Sequence, residues 1–228
     1  MIRVTENLRK IRDLLAKAGN DAGRAEASVR LLAVSKKQPL SSIVAAAQAG
    51  QRDFGENFVQ EGLEKIAAIG RNDLIWHFIG HLQTNKTRAV ATHFDWVHTI
   101  DRLKIAERLS RQRPEGHADL NICLQVNIDN EAAKSGVPAA ELLPLAHSVA
   151  ALPRIRLRGL MCLPAMRMGF DAQREPFARL HALFSELQQE GLEVDTLSMG
   201  MSGDYRAAIF EGSTIVRIGT AVFGAREK

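Results

Sequence analysis

The feature that most constrains this chain is a rhythm. Short, mostly apolar runs alternate with longer helical stretches almost from end to end. The β-like runs are LLAVS (31–35), DFG (53–55), LIWHFIG (74–80), DWVHTI (95–100), LNICLQVNI (120–128), IRLRGLMCL (155–163), VDTLSMG (194–200) and TIVRIG (214–219). Between them lie LSSIVAAAQAG, NFVQEGLEKIAAI, TNKTRAVAT, RLKIAERLSRQ, PAAELLPLAHSVAAL, QREPFARLHALFSELQQEG and SGDYRAAIFEG, several closed by a glycine stop signal. Strands joined by helical crossovers pair in parallel. Eight such units in 228 residues predict a (β/α)8 TIM barrel, as one domain over 1–228, with a doubly wound open sheet as the alternative. The opening MIRVTENLRKIRDLL reads as an extra amphipathic N-terminal helix; charged throughout, it does not read as a secretory leader.

Composition narrows the partners. Hydrophobic residues make up 46%, enough for a sizeable core. Thirty basic residues against 26 acidic ones give a formal charge of +4 and a pI near 9.3. The charges are interspersed, so the chain lacks the basic block of a nucleic-acid or membrane arm. No apolar run approaches the length of a membrane span. Cys123 and Cys162 lie in apolar runs without a CxxC partner, which predicts buried, reduced thiols and a cytoplasmic location.

In such barrels the chemistry gathers at the carboxyl ends of the strands. Lys36 and Lys37 stand at the end of the first. Strand side chains alternate, so only one of the two continues the barrel-facing set, and the pattern leaves open which. A desolvated lysine at that place is nucleophilic towards carbonyls; an ordinary charged loop lysine is the plain alternative. LSMGMSGDYRAAI (197–209) runs from a strand through two glycines and two serines into a helix, with Ser202 as candidate N-cap. STIVRIGTAVFG (213–224) runs from a strand into Gly219 and Thr220. Loops after the seventh and eighth strands form the usual phosphate site of these barrels, so the two turns together suggest a phosphate ligand. Arg217, in an otherwise apolar strand, either reaches solvent or points inward at a specific acceptor. His77 and His81 are four apart in a strand-like context and read as packed rather than metal-ligating. The acidic residues read mostly as solvated helix positions.

Taken together, LLAVSKKQP, DFGENFVQE, WHFIGHLQTNK, GLMCLPA, LSMGMSGDYRAAI and GSTIVRIGTAVFGAR resemble the pyridoxal-phosphate barrels of the alanine-racemase type. At finer grain they resemble the pyridoxal phosphate homeostasis protein family, over residues 31 to 226. The resemblance implies pyridoxal 5'-phosphate as cofactor, with Lys36 as its Schiff-base lysine. It implies that Met201, Ser202, Gly219 and Thr220 hold the phosphate, that Arg217 faces the pyridine nitrogen, and that Asn57 lies beside the ring. It further implies a non-catalytic, monomeric carrier that stores the cofactor or delivers it to apo-enzymes that use it. A guanidinium at the nitrogen makes the ring a weak electron sink. The sole tyrosine, Tyr205, is poorly placed as an opposing base. An amino-acid racemase and a Schiff-base aldolase are the competing readings. Lys134, in EAAKSGV, is a candidate second amine for transfer, against the simpler reading of a solvated lysine.

Overall fold

The computed structural model describes residues 2–25, 27–131 and 135–224. Helix α1 (Ile2–Asp21) precedes an alternation of strands and helices: β1 (Arg30–Val34), α2 (Leu40–Gln48), β2 (Asp53–Glu56), α3 (Val59–Ile69), β3 (Ile75–Phe78), α4 (Thr87–His93), β4 (Trp96–Ile100), α5 (Leu103–Gln112) and β5 (Leu120–Val126). It continues through α6 (Ala139–Ala150), β6 (Ile155–Cys162), α7 (Phe170–Gln189), β7 (Thr196–Ser198), α8 (Tyr205–Phe210), β8 (Ile215–Ile218) and α9 (Thr220–Phe223). The strands pair in parallel in the order β1 to β8, and β8 closes onto β1 with Leu32 opposite Arg217. The closed barrel replaces the open-sheet alternative. Each strand lies within two residues of the run that predicted it at its start, and within two at its end.

Two kinds of packing hold the barrel. Outward-facing Leu31, Ala33, Phe54, Phe78, Val97 and Val216 join the helices in one apolar core, which also takes Leu8, Ile11 and Leu15 of α1. Helix α1 packs on α2, α8 and α9, and Asn7 donates to the Val222 carbonyl at 3.0 Å. The barrel interior is different. Trp96, Cys123 and Met161 form a small separate cluster there. The Trp96 ring lies 5.9 Å from the Arg30 guanidinium and 4.9 Å from that of Arg158. Arg158 is held in turn by Asp195 and Asn121.

Several helix starts depart from the sequence pattern, α7 and α8 among them. Helix α7 begins at Phe170 rather than Gln173, because the Phe170 ring packs edge-on against Phe210 at 5.1 Å and draws the extra turn in. Helix α8 begins at Tyr205 with Asp204 as N-cap, which corrects the assignment of Ser202 to that role. Asp204 Oδ1 accepts from the Met201 N–H, and the Met201 carbonyl accepts from Tyr205, so residues 201–204 form a turn of their own. Both cysteines are buried, and burial pushes their thiols up to about 12, far from a reactive thiolate. His77 is buried and packed, as its strand context suggests, whereas His81 lies beyond β3 and is exposed, which corrects the packed reading there. Among the described residues, no helix is long and apolar enough to cross a membrane.

Candidate functional site

Barrel closure makes β7, β8, β1 and β2 consecutive neighbours. That neighbourhood gathers every described residue that the family resemblance assigns to the cofactor. Lys36 follows the end of β1, Asn57 the end of β2, and Met201 and Ser202 the end of β7; Arg217 lies in β8, with Gly219 and Thr220 directly beyond. Lys134 lies outside the described residues.

The structure distinguishes the two lysines. Leu31 and Ala33 pack into the outer core, while Leu32 faces Gly55, where a Cβ would meet its Cγ at 3.3 Å. Alternation then carries Val34 and Lys36 to the interior side. Lys36 is half-buried; Lys37 is exposed and left-handed, with φ 57°. The turn that carries Lys36 is clamped from outside the barrel. The Ser35 hydroxyl donates to Glu56 Oε1 at 2.6 Å, and Lys65 Nζ donates to the Ser35 carbonyl at 2.7 Å. Lys65 also pairs with Glu56 at 2.8 Å and Glu61 at 2.7 Å, and Glu61 accepts from the Lys37 N–H. Burial raises the Glu56 carboxyl above its ordinary value, opposed by its bonds to Lys65 and Ser35. Glu56 Oε2 is buried without a partner among the described residues.

Sequence reasoning missed this clamp. Glu56 is a fully buried strand residue, not the solvated helix carboxylate expected of the acids generally. The available signal was the Glu61–Lys65 spacing of i,i+4, which reads equally well as an exposed helix pair.

Asn57 is held by a close backbone approach. A Cβ on Gly80 would fall 1.9 Å from the Asn57 carbonyl oxygen, so only glycine fits there. Asn57 Oδ1 is buried with no donor among the described residues. The two turns beyond β7 and β8 lie next to each other. The N–H groups of Ser202 and Gly203 find no acceptor among the described residues, and those of Thr220 and Ala221 precede the first intrahelical bond of α9. Gly219 lets β8 end tight against β1, where a Cβ would come within 3.1 Å of the Val34 carbonyl oxygen. Ser202 and Thr220 are exposed.

Arg217 points inward and is 5% exposed. Its Nη1 donates to the Ser198 carbonyl at 2.5 Å and to Ser198 Oγ at 2.8 Å, and its Nη2 donates to the Cys162 carbonyl at 2.9 Å. A guanidinium carries five N–H donors, so Nε–H and one Nη2–H remain for another acceptor. Tyr205, by contrast, packs against the outer core. A cavity of about 640 Å³ lies at the opposite end of the barrel, lined by Arg12, Arg30, Gln51, Arg52 and Asp53, and takes in none of these residues.

The alanine racemase N-terminal domain family model matches residues 3–227. A pyridoxal phosphate homeostasis protein from Pseudomonas aeruginosa is 53% identical over 227 residues, covering 100% of this chain and 97% of the relative. The chain belongs to the pyridoxal phosphate homeostasis protein family. The Escherichia coli K12 homeostasis protein is 52% identical over 98% of this chain and 97% of its own length. Among solved structures, PipY from Synechococcus elongatus PCC7942 with PLP bound superposes with a TM-score of 0.84 at 37% identity, covering 97% of this chain and 100% of PipY. An alanine racemase from Clostridium difficile 630 shares the fold at a TM-score of 0.77 and 14% identity, over 100% of this chain and 58% of the racemase. The barrel of this homeostasis family member is thus also the architecture of a larger enzyme.

Proposed function

We propose that this chain binds pyridoxal 5'-phosphate at the carboxyl-terminal rim of its barrel and buffers or delivers it in the cytoplasm, as a monomer and without substrate turnover. The observation that carries the reading is a convergence. A half-buried lysine, two small turns with unspent N–H groups and an inward arginine sit on three adjoining strands. PipY, whose structure holds PLP, lends support at 37% identity.

The residues fit the group. Lys36 would meet its aldehyde end. Met201, Ser202, Gly219 and Thr220 would hold its phosphate, and Arg217 would face the ring nitrogen with a donor left over from Ser198 and Cys162. Asn57, with an unspent oxygen, would lie beside the ring. When bound, pyridoxal phosphate supplies an aldehyde that condenses reversibly with amines and a ring that draws off electrons. The chain's own groups restrain that second property. Arg217 does not surrender a proton, so it leaves the ring nitrogen neutral, where an acid would charge it. Tyr205 packs against the outer core, which speaks against its serving as the opposing base of a two-sided proton transfer.

The test is spectroscopic. The purified protein loaded with pyridoxal phosphate is expected to absorb in the visible, to lose that band in Lys36→Ala, and to carry cofactor on Lys36 after borohydride reduction and peptide mapping. Reduction elsewhere sinks the assignment. Washing of solvent deuterium into the α-position of an amino acid at enzymatic rates sinks the non-catalytic part alone.

A further inference from the structure

A line of buried polar groups crosses the barrel interior beneath Arg217. Asp53 opens β2 at the amino-terminal end, on the wall of the 640 Å³ cavity. Its Oδ1 lies 3.0 Å from His77 Nε2. His77 Nδ1 lies 2.9 Å from His98 Nε2, and His98 Nδ1 lies 2.8 Å from Ser198 Oγ. Ser198 Oγ in turn accepts from Arg217 at 2.8 Å. His77, His98 and Ser198 are fully buried. The five residues come from β2, β3, β4, β7 and β8, so only barrel closure assembles them.

The hydrogens in this line have one consistent arrangement. A carboxylate only accepts, so His77 must donate from Nε2, which leaves its Nδ1 as acceptor. His98 must then donate from Nε2 and accept at Nδ1. Ser198 must give its single hydrogen to His98, and its oxygen is left to accept from Arg217. At the other end a guanidinium only donates, which agrees with this arrangement, while the carboxylate end is what imposes it. Both imidazoles are neutral in it, and burial draws both below the ordinary histidine value. The charged groups around them are Asp53, Asp95, Arg30 and Arg217.

We propose that Asp53 is a positioning residue for Arg217, acting through the fixed tautomers of His77 and His98 and through the Ser198 hydroxyl. The consequence for the site rests on the reading that Arg217 meets the cofactor's ring nitrogen. If Asp53 is removed, nothing holds His77 to one tautomer. The alternative, with His98 donating to Ser198 from Nδ1, becomes accessible; it turns the serine hydrogen away from His98 and places a second donor on the oxygen that Arg217 uses. One guanidinium contact then weakens, and the donors aimed at the ring lose their fixed direction.

Nitrogen-15 spectra of the imidazoles in the full, cofactor-free chain test the line itself. His77 and His98 are both expected as Nε2–H tautomers; an Nδ1–H assignment for either overturns the proposal. In Asp53→Ala, His98 is expected to show mixed tautomers, and the dissociation constant for added pyridoxal phosphate should rise about five- to tenfold, the worth of one hydrogen bond. Asp53→Asn, whose amide oxygen still accepts from His77, is expected to restore both readouts. Wild-type tautomers and affinity in Asp53→Ala overturn the proposal. Should that variant not fold, Ser198→Ala removes the link nearest Arg217, and unchanged cofactor affinity there overturns it equally. A wild-type chain that fails to bind pyridoxal phosphate defeats the cofactor reading instead, and the tautomers still decide the line.

Discussion

Two buried polar clusters flank the candidate site, one on each wall of the barrel, and they are built on opposite principles. The clamp outside β1 and β2 uses full charges: one ammonium, Lys65, serves two carboxylates and a carbonyl, and one oxygen of Glu56 is left over. The line inside runs between ionised ends through neutral groups, each hydrogen along it assigned to one acceptor. The contrast follows the task. A loop that must be held in place tolerates a surplus of acceptors around a strong donor, because several arrangements keep it shut. A guanidinium that must be aimed needs a chain with a single arrangement, which charge alone does not provide.

The sharpest way to break this comparison is to remove the ammonium. Lys65→Met leaves Glu56 buried with only Ser35 as donor and strips the Ser35 carbonyl of its partner. Breaking a buried pair from one side costs about 3–5 kcal/mol. Urea unfolding should show that loss, with cofactor affinity falling alongside as the Lys36 turn loosens. A loss below 1 kcal/mol would mean the clamp is held by packing alone.

Acid should separate the clusters by sign. The folded histidines of the line lie below their unfolded value, so they contribute stability above about pH 6.5 that is lost as pH falls. Glu56 lies above its unfolded value, so its contribution is complete below about pH 4.5 and declines as pH rises. Between pH 7 and 5.5 the two histidines should make the fold progressively less stable. The double variant His77→Gln, His98→Gln should flatten that slope while Glu56→Gln leaves it intact. A slope that survives the double variant places the acid-sensitive groups elsewhere.

The clusters also differ in how far they could be read from the sequence. The strand positions were legible because burial on both faces imposes local apolar runs, and the barrel followed from their number and spacing. The turns that carry Lys36, Met201, Ser202, Gly219 and Thr220 were legible as strand ends, where turn chemistry is local; the roles of the single residues came only from the resemblance. The choice between Lys36 and Lys37 was not, since period-2 alternation gives two equivalent faces until Leu32 is seen against Gly55. Nor was Ser202 distinguishable from Asp204 as the cap, because the cap is set by where the backbone turns helical and no side-chain cap bond marks it. The line was out of reach for a different reason. His98 and Ser198 are 100 positions apart, and His77 and His98 are 21 apart, so their contacts exist only once the barrel closes. In sequence each is a lone polar residue in an apolar run, and the physical expectation for such a residue is a satisfied core group.

The finest test concerns how much of the clamp's strength is charge. Glu61 is its outermost member, with a side chain 25% exposed, and one of its oxygens accepts from both Lys65 and the Lys37 N–H. Glu61→Gln keeps an oxygen at that place and removes only the charge. Because water screens a partly exposed pair, and because Glu56 still neutralises Lys65, the cost should stay below about 1 kcal/mol. Glu61→Leu removes the acceptor as well and leaves the Lys37 N–H unpaired at a residue already in the left-handed region, so it should cost about 1 kcal/mol more than the glutamine. Equal losses in the two variants would show that the clamp works by charge after all, and the distinction between the walls would then narrow to the single arrangement of hydrogens inside the barrel.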